Sequence, residues 1–214
     1  MVYLRSTGVR KHVGEWKELA RLSNLQYHPS DLARELKLIE GIDVPRLGLI
    51  GHAISGRLGD TWFAVLQSTV RKPSLGSVLG KTMPASFCIL VEPTIQLPEF
   101  CLRKKAGRGI TAALNALLES EIEMDPSFSK QYSLQGRSPE DVKRLFDGAI
   151  AQWFVSSSPM DVQFHYQGDV APTNFPLELH AKNKTVTLSF LGGLRARDVQ
   201  PFMNRAKQIC DQLR

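Results

Sequence analysis

No stretch of this sequence approaches the roughly 20 consecutive apolar residues that a membrane-spanning helix needs, so no transmembrane segment is expected. Residues 1–15 carry basic side chains but lack the apolar centre of a signal peptide. Cysteine is scarce: Cys88, Cys101 and Cys210 are widely spaced and odd in number. Such a set suits neither a disulfide framework nor a zinc site, and it fits reduced, buried thiols in a cytoplasmic protein. Acidic residues are short in the first half. Residues 1–108 hold 16 Lys and Arg against 9 Asp and Glu, a net +7, whereas the remainder is −1. This asymmetry permits an anionic partner without requiring one.

Catalytic and nucleotide motifs are missing too. Gly80-Lys81-Thr82 resembles the end of a phosphate-binding loop, but Leu75 stands where the first glycine belongs and Pro84 sits where the helix should propagate. Gly48, Gly51, Gly56 and Gly59 do not form a dinucleotide fingerprint and are read as turn and close-packing positions. His12, His28, His165 and His180 lack metal-ligand spacing. His165 and His180 fall on the polar phase of strands and are expected to face solvent. His52 and Ser55 are near each other in sequence, but residues three apart on a strand point to opposite faces, and no nucleophile elbow surrounds Ser55. Glu119, Glu121, Glu123 and Asp125 lack the form of a calcium loop and are read as a solvated helix end. No metal and no cofactor is expected, and no catalytic residue is assigned.

What is present is well-formed hydrophobic patterning. The strongest signal runs from Phe128 to Phe154, read as a strand, a turn and one amphipathic helix. Ser138 is the expected N-cap, Pro139 the first helical residue, and Glu140 and Asp141 complement the helix dipole. Val142, Leu145, Phe146, Ala149, Ile150, Trp153 and Phe154 then form one apolar stripe, with Gly148 as a blemish within it. Residues 1–13 are expected to be loosely structured. A first helix is expected over 14–26, with Trp16, Leu19, Ala20 and Leu22, and a second over Asp31–Ile39. Leu49–Arg57 and Thr61–Val70 read as a β-hairpin, residues 71–83 as a loop, and Ser86–Glu92 as a central strand buried on both faces. A short segment Glu99–Arg103 and a helix Ile110–Ile122 follow. Val162, Phe164 and Tyr166 alternate as a strand, Leu177–Ala181 and Thr185–Leu191 form a second hairpin turning at Asn183, and Asp198 is expected to cap a last helix. Hairpins interspersed with helices, rather than strict βαβ alternation, predict an α+β fold: a mainly antiparallel sheet with helices packed on one face. Residues 14–214 are read as a single domain, in preference to a boundary near Gly107–Gly109.

The order of these signals resembles a family of uncharacterised bacterial proteins of unknown function. The resemblance is carried by the hairpin GHAISGRLGDTWFAVLQS, the strand FCILVE, then LPEFCLRKK and FSKQYSLQGRSPEDVKRLF. It covers about Leu19 to Phe190. It is sharpest at Leu97, Pro98, Phe100, Leu102, Phe128, Tyr132, Leu134 and Gly136. Some members of that group carry membrane-spanning segments ahead of the domain, which this sequence lacks. The group supplies no catalytic residues to map, which itself implies a non-catalytic domain.

The leading expectation is therefore a non-catalytic soluble domain that acts by binding another protein. The alternative is electrostatic association with nucleic acid or an anionic membrane surface through the basic half. Its candidate anion-binding residues are Arg103, Lys104, Lys105 and Arg108, just before a predicted helix start. Against it, no aromatic side chains are interleaved for base stacking. The third reading is an enzyme with an unfamiliar site around His52 and Ser55.

Overall fold

Alternation of apolar and polar side chains decides which face of a half-buried strand turns inward. In the computed structural model, which describes residues 6–29, 49–71, 82–105, 121–165 and 172–214, the strands assemble into one eight-stranded antiparallel sheet of order β1-β2-β3-β4-β10-β9-β5-β6. These are β1 (Gln26–His28), β2 (Leu49–Leu58), β3 (Thr61–Arg71), β4 (Thr82–Val91), β5 (Leu97–Lys104), β6 (Tyr132–Gly136), β9 (Glu178–Asn183) and β10 (Thr185–Leu191). A separate two-stranded ribbon pairs β7 (Asp161–His165) with β8 (Pro172–Pro176). The fold is the α+β arrangement expected from the sequence, with helices packed on the sheet.

One face of the sheet carries Ile54, Phe63, Val65, Cys88, Leu90, Val186, Leu188, Phe190, Leu179, Leu102 and Leu134, all buried in a single core. Helices cover that face. Helix α1 (Ser6–Leu22) brings Trp16 and Ala20 onto the β1–β2 end. Helix α5 (Ala196–Gln212) lays Val199, Phe202, Met203, Ala206 and Ile209 across β4 and β10, with Phe202 edge-on to Phe190 at 5.3 Å between ring centroids. Gln67 and Ser86 secure the approach to α5 by donating to the carbonyls of Leu194 and Gly192 at 3.0 and 2.8 Å. At the other end, α2 (Pro126–Gln131), α3 (Pro139–Phe146) and α4 (Ala149–Ser157) build an aromatic cluster on β5 and β6. Phe146 lies at its centre, 5.1 Å from Phe100, 5.7 Å from Phe128 and 5.7 Å from Phe154. Strands β3 and β4 are buried on both faces, since Ala64, Leu66 and Ile89 on the side away from the helices are also inaccessible. That matches the central strand expected at Ser86–Glu92.

Local expectations need correction at several points. The helix expected over 14–26 runs from Ser6 to Leu22, so residues 6–13 are helical rather than loose and Gln26 already lies in β1, while Leu22 is 68% exposed. Phe128 lies in helix α2, not in a strand: the Asp125 carboxylate caps it by accepting from the Ser127 amide at 2.8 Å, and the strand starts only at Tyr132. The Ser138–Phe154 helix is two helices, broken where Gly148 adopts φ +69°, a left-handed conformation that glycine tolerates best. Ser138 contributes its carbonyl, accepting from the Val142 amide at 3.1 Å, and makes no side-chain cap. Likewise α5 starts at Ala196 after Arg195, and Asp198 is a buried first-turn residue rather than the cap. The turn at Asn183 stands as expected, with φ +53° there. Of the loop expected over 71–83, Arg71 closes β3 and Thr82 and Met83 open β4; residues 72–81 with the Gly80-Lys81 pair, the predicted helix Asp31–Ile39, the bulk of the predicted helix 110–120 and Arg108 lie outside the described residues. Glu121 and Ile122, at the end of that last prediction, are not helical.

Candidate functional site

The sheet face turned away from the helices changes character from one side to the other. Over β2 and β3 it is buried, with Ala53, Ala64 and Leu66 beside Ser55 and Ser68. Over β10, β9 and β5 the same face presents partly exposed side chains: Thr187 and Ser189, then Glu178, His180 and Lys182, then Cys101 and Arg103. Antiparallel register places these in rows, with Cys101 opposite His180 and Arg103 opposite Glu178. Their strand neighbours Leu102 and Leu179 are fully buried below. The outward residues thus stand on a rigid apolar floor.

Glu178 is the hub of this surface. Arg103 approaches it in a two-pronged fashion, Nε to Oε2 at 2.8 Å and a terminal nitrogen to Oε1 at 3.1 Å. His180 Nε2 bonds to the same Oε1. Cys101 Sγ lies 3.6 Å from His180 Nε2. Burial pushes the Glu178 carboxyl up, but hydrogen bonds and charge from His180 and Arg103 outweigh it and hold the pKa at about 2. Of the three cysteines, Cys88 and Cys210 are buried and Cys101 is only partly so. Burial, with a contribution from neighbouring Cys210, raises the Cys88 thiol far above its usual range, and burial pushes Cys210 up to about 11. Both are inert thiols in the core.

The basic run is taken up by carboxylates. Arg103 pairs with Glu178, Lys104 with Asp161 on β7, and Lys105 with Glu121 at 2.6 Å while also donating to the Ser129 carbonyl at 2.7 Å. Lys182, in the next row, pairs with Glu99 at 3.0 Å. Each described cation of the run therefore has an anionic neighbour, and their local fields largely cancel. Glu121 and Asp125 have separate structural duties, an ion pair and a helix cap, and do not converge.

His52 and Ser55 do not meet. His52 faces the helices, with Nδ1 3.1 Å from the Tyr27 hydroxyl and its ring 6.2 Å from Trp16. Ser55 points to the other face, where its hydroxyl lies 2.8 Å from Nε2 of His28. The sequence missed this second pairing because β1 and β2 are joined through a long segment. Both partners are buried, so the bond satisfies two polar groups inside the fold. A shallow groove between α1 and the start of α5 is lined by Glu15, Glu18, Leu19, Leu22, Arg195 and Arg197. It brings together carboxylates and guanidinium groups, and no nucleophile.

The residues that carry the family resemblance turn out to serve the core. Leu97, Phe100, Leu102, Phe128, Tyr132 and Leu134 are all buried. At Gly136 an added Cβ would stand 2.7 Å from Val142 Cγ2 and 2.9 Å from the Glu99 carbonyl oxygen. That motif specifies packing, not chemistry.

The class that this architecture defines is an antiparallel α+β sheet with helices on one face and a partly open second face. Among solved structures the chain is similar to the crystal structure of the mycobacterial trehalose monomycolate transport factor A, TtfA, with a TM-score of 0.58 over 97% of this chain and 96% of that one. Sequence identity is 10%, so the likeness is one of fold. No protein-family model matches the chain, and no curated protein matches it in sequence. Among the described residues, no helix is long and apolar enough to cross a membrane.

Proposed function

We propose that this is a non-catalytic protein that binds another protein through the open face of its sheet over β5, β9 and β10. The observation that supports this reading is that face itself: three adjacent strands present partly exposed, mutually paired polar side chains above a fully buried floor. A rigid surface with neutralised charge suits a partner of mixed polarity better than a polyanion. The three cysteines are free thiols, which supports a soluble, cytoplasmic setting. The fold neighbour bears the name of a transport factor, a role that partner binding can serve.

The test is affinity capture of the tagged chain at low and physiological salt, with and without nuclease, beside a variant carrying Thr187→Arg and Lys182→Glu on the open face. A protein partner that survives salt and nuclease and is lost from the variant supports the reading. Retained material that disappears with salt or nuclease transfers the role to the basic half. Steady turnover of a small molecule by the pure protein, abolished by one point substitution, would overturn it.

A further inference from the structure

Three donor atoms of different chemistry converge on the open face. Cys101 Sγ, a Glu178 carboxylate oxygen and a His180 ring nitrogen all lie within 4.8 Å of one another. The backbone fixes this arrangement. Cys101 and His180 are direct partners across β5 and β9, and Glu178 is two residues before His180 and so on the same face. A nucleophile–base relay would use opposite ring nitrogens of the histidine, one toward the thiol and one toward the carboxylate. Here Nε2 faces both groups. All three ligand atoms therefore face one point, and an ion there would replace the direct Nε2–Oε1 hydrogen bond, whose partners would move apart to flank it.

We propose that Cys101, Glu178 and His180 form a mononuclear site for a borderline transition metal ion, zinc by ligand type, with a fourth position open to solvent. A tetrahedral zinc with sulfur at about 2.3 Å and imidazole nitrogen at about 2.0 Å separates those two ligand atoms by about 3.5 Å. Cys101 Sγ and His180 Nε2 are 3.6 Å apart. Thiolate and imidazole select zinc over magnesium or calcium. Arg103 supplies the outer support: its Nε holds Oε2 of Glu178 and a terminal nitrogen holds Oε1, the oxygen that also faces His180. The side chains of His180 and Glu178 are 35% and 33% exposed, so an ion can enter and a water can complete the shell. Binding sends the thiol proton of Cys101 to solvent, and the Nε2 proton that His180 donates to Glu178 in the metal-free chain must also leave, through solvent to Nδ1 when the ring is neutral, so that Nε2 coordinates bare. This inference is independent of the protein-binding reading, because it is measured on the isolated chain.

The experiment is titration of the reduced, metal-stripped protein with cobalt(II). One equivalent is expected to give a thiolate-to-cobalt charge-transfer band in the near ultraviolet and intense tetrahedral visible bands, both removed by added zinc. Cys101→Ser should abolish the charge-transfer band, and His180→Gln and Glu178→Gln should each weaken binding by about tenfold or more. A pale six-coordinate spectrum, no binding, or a charge-transfer band that persists in Cys101→Ser would overturn the site and leave an ion-pair network in its place. Should a variant fail to fold, X-ray absorption of the zinc-loaded native chain decides. One sulfur at about 2.3 Å supports the site, and a shell of only nitrogen and oxygen refutes it.

Discussion

Glu92 follows directly on β4 and is only 3% exposed, yet it is ionised and fully engaged. It accepts from the Thr61 hydroxyl at 2.5 Å and from the Thr94 hydroxyl at 2.7 Å, with the Arg214 guanidinium 3.6 Å away. The Thr61 hydrogen bond is the main reason its carboxyl is held below the ordinary range. Burial opposes the shift, and Thr94 and Arg214 assist it. A folded pKa below the unfolded value of about 4.3 contributes stability that is present above that value and lost as pH falls through the folded one. Glu92→Gln should therefore lower the melting temperature at pH 7, and the difference from wild type should shrink as the pH is taken down to about 3. A difference independent of pH, followed by circular dichroism melts, would show that the charge is not what Glu92 contributes. Two glycines give opposite signs at the same scale. Gly14 lies inside α1 with nothing within 4 Å of an added Cβ, so Gly14→Ala should stabilise by about 1 kcal/mol. Gly136→Ala meets the Glu99 carbonyl, which is backbone and cannot swing aside, and should destabilise by about 1–3 kcal/mol in urea unfolding.

The break between α3 and α4 is where reading one long helix fails, and the reason is physical. Val142, Phe146, Ala151 and Phe154 are all buried, so an apolar stripe runs through both halves and hides the interruption. Only the backbone of Gly148 reveals it, at φ +69°. A continuous helix predicts that Gly148→Ala stabilises by about 1 kcal/mol. The observed break predicts a loss of about 1–2 kcal/mol, because alanine must adopt a left-handed conformation there. Helix α2 was hidden for a different reason: among its six residues only Phe128 is buried, so it has no stripe to read, although Asp125-Pro126 offers the same start signal as Ser138-Pro139. The hairpins, by contrast, were readable, because two-residue periodicity and the left-handed Asn183 are local signals. The Cys101–Glu178–His180 cluster lay beyond local signals. Glu178 and His180 share a face through their spacing, but Cys101 is 79 residues from His180 in sequence and joins them only when β5 pairs with β9. At the element scale the aromatic cluster should also be the least replaceable part of the core. Phe146→Ala removes the ring that touches three others and should lose about 3–5 kcal/mol of unfolding free energy.

For the whole molecule the question is whether a net charge of +6 acts as a field or is spent locally. Exposed ion pairs contribute little to stability, about 0–1 kcal/mol each, but they cancel the potential that a polyanion would feel. Arg103, Lys104, Lys105 and Lys182 each sit against a carboxylate, so the stretch richest in basic residues contributes little net field where it is described. A protein that contacts six to ten phosphates loses about 10³–10⁵ in affinity between roughly 50 and 200 mM salt. Binding of this chain to a partner over its open face should change by about tenfold or less over that range, and duplex DNA should compete poorly at any salt. The double variant Lys104→Ala, Lys105→Ala should retain the partner, since each lysine is already neutralised by Asp161 or Glu121. A steep salt slope that flattens in that variant would mean that a polyanion displaces those carboxylates, and the basic half would then be the binding surface.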